Sequence, residues 1–337
     1  MGGSSWSASQ SRRRTTTTAT TMPPTGARGP MPTEPQGPTL SWNPLHDIGQ
    51  VLEYHFMLNA LAAGSVVAVL AGLIGWLMVL RRETFAGHSL AMMAFPGAAA
   101  AALAGVPAAF GYFAFCAAGA VAIGRLPGAG GRSWSSGSAS IGSVQALALG
   151  LGFLFVSLYG GVLGDLESLL FGAVLGVSDG QLIALAAVAL GVLAVLAAIA
   201  RPLLFASVEP EVAGSRGVPV ARLSRAFLVL LGIAVAATSQ ITGPLLVFTL
   251  LVMPAASAQA ITNRPLASLL LTVAIGLAVV WLGLGAAYFS VYPPGFFIGA
   301  VSFAGYVLAR LLGAAAGRAE ASERLHPPPP APAGVIA

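Results

Sequence analysis

Between Met57 and Leu80 the chain runs 24 residues without a charged side chain, and no other feature limits its possible folds so strongly. A helix rises 1.5 Å per residue, so ~20 apolar residues cross the hydrocarbon core of a bilayer. His88 to Gly124 is likewise free of Asp, Glu, Lys and Arg, and two later runs are longer still. Of the 337 residues, 56% are hydrophobic and only 8% charged, whereas an ordinary soluble domain is roughly a quarter charged. The expected fold class is an all-α polytopic membrane protein, because in lipid a helix satisfies its own backbone.

Gly-Pro punctuation and charges divide the apolar runs into about nine spans, near 57–80, 86–104, 107–125, 143–162, 181–200, 224–240, 243–262, 266–290 and 295–313. Residues 51–313 form the transmembrane domain. Residues 1–50, rich in Ser, Thr, Gly and Pro, read as a disordered tail, and 314–337, ending in a proline run, as a second one. All 16 basic residues are arginine. If the first span runs from outside to inside, Arg81, Arg82, Arg125, Arg132, Arg201, Arg216, Arg222, Arg225, Arg264 and Arg310 fall on one side, and the opposite short loops contain none. The positive-inside rule makes that side cytoplasmic. The arginines mark loops rather than one face of an element, so no nucleic-acid surface is expected. Cys116 is the sole cysteine, which excludes an intrachain disulfide.

Chemistry-bearing residues are few. No HExxH, no GxxxxGK[ST] and no Ser, His and Asp set of hydrolase form occurs, so neither catalysis nor a nucleotide site is expected on this chain. His88 and Met92 are four residues apart in the second span, hence on one helix face, and both carry metal-donor atoms. The alternative is an imidazole at the interface with Met92 and Met93 as packing residues. Asp165 and Glu167 are the acids of an external loop, placed either to meet a partner or an incoming cation, or merely solvated. Ser178 and Gln181 have the form of a capping box around Asp179. Between the fifth and sixth spans, Pro210 and Glu211 suit the first turn of a short helix, Gly217 its stop, and Pro219 forbids continuation. Such a helix is either a docking element for a cytoplasmic partner or a plain connector.

Five stretches in order, "VLRRETFAGHSLAMMAFPGAA", "LLFGAVLGVSDGQL", "VEPEVAGSRGVPVARL", "GPLLVFTLLVMPAASAQAI" and "YPPGFFIGAV", resemble signatures of the membrane permease subunits of ABC importers for zinc, manganese and iron. The resemblance spans about 50–313 and implies an ABC importer permease bundle in the plasma membrane. It implies a homodimer, a separate cytoplasmic ATP-binding subunit that hydrolyses ATP, and an external metal-binding protein that delivers the ion. The metal is cargo, with no permanently bound cofactor. The helix around Glu209, Pro210, Glu211 and Gly217 would be the coupling helix seated in the ATPase; Glu209 stands where the family has Asp. Met93, Asp165 and Glu167 would lie on the translocation path or at its mouth. Where many members carry an acid followed four residues later by histidine, this chain has His88 and Met92. Nitrogen and sulfur donors suit Zn²⁺ better than Mn²⁺, so zinc is expected first, then manganese or iron. A stand-alone secondary transporter is the other class, but it needs an ion-coupling acid inside a span, and the acids here lie in loops or near interfaces.

Overall fold

The computed structural model describes residues 44–126, 134–159, 172 and 174–325. Among them are ten helices: α1 (Pro44–Glu53), α2 (His55–Leu80), α3 (Thr84–Ala104), α4 (Ala108–Arg125), α5 (Trp134–Tyr159), α6 (Asp179–Val208), α7 (Pro210–Ser215), α8 (Val220–Ile261), α9 (Pro265–Tyr288) and α10 (Pro294–Leu325). Eight are long and apolar enough to cross a membrane, as the charge-free runs require. Helix α1 begins ahead of residue 51 and α10 continues past 313, since no proline interrupts the chain until Pro327.

The two spans expected at 224–240 and 243–262 are the arms of α8, which is 42 residues long. The arms cannot be collinear. Ser224 accepts a hydrogen bond from Arg81, and Gln259 Nε2 donates to the Trp76 carbonyl at 3.0 Å. Trp76 and Arg81 lie at one end of α2, whereas positions 224 and 259 of a straight helix would be about 50 Å apart. The chain folds back at Gly243, whose φ of 75° and ψ of 155° break the helix. Only glycine adopts that region readily, and Pro244 holds the preceding residue to an extended ψ.

This reversal keeps the arginine-bearing turns together. Arg81 reaches Ser207 and Ser224, Gly124 lies against Arg225, Ser268 near Arg264 bonds Trp76, and Gly313 near Arg310 lies against Ala260. At the other end of α2, Asn59 bonds the start of α6. The structure thus segregates the described arginines as the charge pattern predicts.

Helix α8 is the hub of the bundle, packed against α2, α3, α4, α6, α9 and α10. Lipid supplies no hydrophobic drive for helices to associate, so close backbone approach substitutes for it. Gly97 of α3 and Gly111 of α4 face each other so tightly that a Cβ on either would strike the other's carbonyl oxygen, and Gly75 of α2 abuts the backbone of Leu251 in the same way. Gly172 and Gly176 lie between α5 and α6, outside both helices. Gly172 takes φ 70° ahead of a 3-10 turn, Val174–Gly176, and sits against the backbone at 241–243.

The expected capping box is present: Gln181 N–H donates to Ser178 Oγ at 3.4 Å and Ser178 N–H to Gln181 Oε1 at 3.0 Å. Ser178→Ala is expected to cost about 1 kcal/mol, read as a lower thermal midpoint of the detergent-solubilised protein. An unchanged midpoint would mean that the contacts of Asp179 alone hold this helix start.

Candidate functional site

His88 lies in the second turn of α3. Its ring meets Phe248 of the second arm of α8 edge-on, with centroids 4.7 Å apart. Nδ1 is buried and meets no hydrogen-bond partner among the described residues. A buried ring nitrogen without a partner is costly and rare enough to need a reason, and an imidazole in that condition retains a lone pair or a proton for a visiting group. Met92 stands one turn on, half-buried like His88, so the two offer donor atoms from one face.

Met93 does not share that face. It is 2% exposed and turned into the seam with α4, where a Cβ on Gly119 would collide with its sulfur. Its thioether fills the α3–α4 interface, the packing role that the sequence leaves open for it, which leaves Met92 as the methionine beside His88. Cys116 occupies the same seam, fully buried, and its thiol donates to the Leu90 carbonyl at 3.5 Å.

Two polar contacts were missed by reasoning from the sequence. Ser89, fully buried, donates to Gln145 Oε1 of α5 at 2.7 Å. Gln145 is a polar residue inside an apolar run, which was the available signal. At the opposite end of α2, Asp179 Oδ1 accepts from Asn59 Nδ2 at 2.6 Å and lies 3.1 Å from His55 Nε2. Asp179 is therefore a partner of the first span as well as a first-turn acid suited to the helix dipole. His55 and Asn59, four apart at the start of an apolar run, were the clue to it. Asp165 and Glu167 lie outside the described residues.

The segment expected to dock a partner has the predicted form. Pro210 occupies the first turn of α7, Gly217 takes φ 82°, and the Val218 N–H returns to the Ala213 carbonyl at 3.0 Å. This is a glycine-stopped helix end. Glu209, Pro210, Glu211, Val212 and Gly217 are exposed, and only Ala213 faces inward as a buried residue.

No group of three or more His, Cys, Asp or Glu side chains able to hold a metal occurs among the described residues. A cavity of about 570 Å³ lies where Gly172, Leu246, Pro293 and Phe296 meet; among the described residues, Thr242 and Thr249 supply its side-chain oxygens. It is an apolar space, unsuited to bind a bare cation.

Comparison with known proteins agrees with the bundle and with the ordered motifs. The description "ABC 3 transport family" matches residues 53–313. A manganese transport system membrane protein, MntC, of Halalkalibacterium halodurans is 30% identical over 242 residues, 72% of this chain and 81% of that protein. A manganese import system permease protein, ScaB, of Streptococcus parasanguinis is 28% identical over 236 residues, covering 70% and 83%. Among solved structures, PsaBC from Streptococcus pneumoniae in complex with Fab superposes with a TM-score of 0.69 at 25% identity, over 79% of this chain and 94% of that one. Helix content, span composition and the family match across the whole membrane region agree, and this chain belongs to the ABC 3 transport family as a multi-pass membrane permease subunit, not itself an enzyme.

Proposed function

We propose that the chain is the permease of an ATP-driven importer that carries a divalent transition-metal ion into the cytoplasm. It works as a homodimer with a separate ATP-binding subunit on its cytoplasmic face and a metal-binding protein outside. The observation that carries the cargo is His88, an imidazole within a membrane-spanning helix whose Nδ1 is buried and unpaired among the described residues. Among the described residues one protomer offers His88 and Met92, and a two-fold dimer doubles them to two imidazoles and two thioethers. Four such donors suit a transient site, tight enough to select an ion and loose enough to release it.

Manganese is the first choice, because relatives across most of the chain are named for manganese transport. Zinc is the second reading, favoured by the sulfur of Met92 and by the lack of a metal-holding carboxylate group among the described residues. On the cytoplasmic face, α7 with exposed Glu209, Pro210, Glu211 and Gly217 is the coupling helix. Its short, glycine-stopped form supports that role, since a rigid knob transmits a push that a floppy loop would absorb. Asp165 and Glu167 are assigned, on sequence alone, to the external mouth.

The test is rescue of a strain lacking this gene under separate limitation for manganese, zinc and iron. Rescue under manganese limitation is the expected result. Rescue confined to zinc limitation would select the second reading, and uptake by the purified chain in liposomes without any ATPase would restore the secondary transporter.

A further inference from the structure

The turn between α2 and α3 is more elaborate than a connector needs. Arg81 caps α2, Arg82 is held at φ 58°, a left-handed conformation unusual for a side chain of that size, and Glu83 precedes the first turn of α3. The side chains of Arg81 and Glu83 are only 7% and 10% exposed, and they pair at 2.8 Å. Arg81 Nε also donates to Glu83 Oε1 at 3.2 Å, and one terminal nitrogen donates to Ser207 Oγ at 2.9 Å while the other reaches Ser224 Oγ. The guanidinium lies 5.2 Å over the Phe227 ring. Glu83 Oε2 is buried without a partner among the described residues. Burial pushes the Glu83 carboxyl above its usual range, while the neighbouring Arg81 pulls it back.

The positions of the two serines give this cluster its meaning. Ser207 ends α6 just before α7, and Ser224 lies in the opening turns of α8 just after it. One guanidinium therefore grips both chain segments that hold α7, and the same group grips the carboxylate five residues before His88. Arginine can do this because its planar fork presents five N–H donors in fixed directions; lysine cannot hold three acceptors on three elements in one plane. Buried ion pairs add little stability over apolar packing, so stability alone does not account for a buried pair with an orphan oxygen beside a left-handed arginine.

We propose that Arg81 is a positioning residue that transmits displacement of α7 to α3, and thereby to the helix face that carries His88. This rests on the reading of α7 as the helix that seats in the ATPase. When α7 shifts, Ser207 and Ser224 shift with it and carry the guanidinium. Glu83 follows, and α3 pivots about the turn at Arg82.

The experiment uses the whole permease with its co-purifying ATPase in lipid discs. Spin labels are placed on Leu103→Cys in α3 and Leu282→Cys in α9, both exposed positions, and the distance between them is measured without nucleotide and with trapped ATP. Arg81→Gln would strand Glu83 and endanger folding, so the variants are Ser207→Ala with Ser224→Ala, which leaves the ion pair intact, and separately Arg81→Lys. In the labelled parent the distance shifts with ATP. In both variants the ATPase still co-purifies, and more than half of the shift is lost. A full shift in the serine variant overturns the transmission role, as does loss of the ATPase from it, which would make the cluster part of the docking surface. No shift in the parent with the ATPase bound removes the coupling reading of α7, and the proposal with it.

Discussion

His88→Ala is expected to cut ATP-dependent metal uptake at least ~10-fold while the permease remains assembled with its ATPase. Disturbing even the groups that orient a metal ligand typically costs ~10- to 100-fold in affinity, and loss of a donor is a larger change. The structural cost is modest: the ring is half-buried, and its edge contact with Phe248 is worth about 1 kcal/mol. Transport and folding therefore separate. His88→Asp sharpens the result, since it returns a carboxylate to the position where the resembling family carries an acid. Harder oxygen ligation should move the preference toward manganese relative to zinc. Both are read as initial uptake of radioactive manganese and zinc in the same vesicles. Wild-type uptake by His88→Ala would remove this residue from the path.

Gly97→Val is expected to lower sharply the yield and heat resistance of the folded permease. The α3–α4 crossing has no side chain between the backbones at Gly97 and Gly111, so a branched side chain there must push two helices apart. Overpacking commonly costs ~1–3 kcal/mol and more where backbone has to move. The rest of the bundle cannot relieve this by a rotamer change, because the obstructing atom is a carbonyl oxygen. Against a total stability of order 5–15 kcal/mol, that removes a large part of the margin and leaves the variant prone to unfold and aggregate on mild heating. Gly150→Ala is the control: nothing lies within 4 Å of its would-be Cβ, and alanine favours helix by up to ~1 kcal/mol. Size-exclusion profiles after stepwise heating should separate the two variants widely; coincident profiles would show that the crossing is loose.

Much of the fold was legible in the sequence because it is written locally. Apolar run length, arginine placement, the Ser178–Gln181 cap and the Pro210 to Gly217 helix each depend on residues within a few positions of one another. The reversal at Gly243 was legible only as a gap between two spans; that its arms return to the same end of α2 follows from contacts of Ser224 and Gln259 with residues far away in sequence. The site divides the same way. His88 and Met92 share a face by spacing alone, but which neighbour turns inward required α4, since Met93 is buried by Gly119. Arg81 read simply as a positive-inside marker. Its bonds to Ser207 and Ser224 span well over a hundred residues of chain, and no periodicity encodes such a meeting.

The contact of Gly172 with the backbone at 241–243 bears on the order in which the molecule is completed. Synthesis delivers the chain from its N-terminus, so α2 to α5 can enter the bilayer and pair as they emerge, the Gly97–Gly111 crossing among them. The segment at Gly172 can settle on α2 through the turn at Val174–Gly176, but its contact with 241–243 has to wait until the first arm of α8 has been made and the chain has turned at Gly243. Its left-handed glycine then meets the broken helix backbone to backbone. The closure between these two glycines is thus made late, whereas the α3–α4 crossing is in place early.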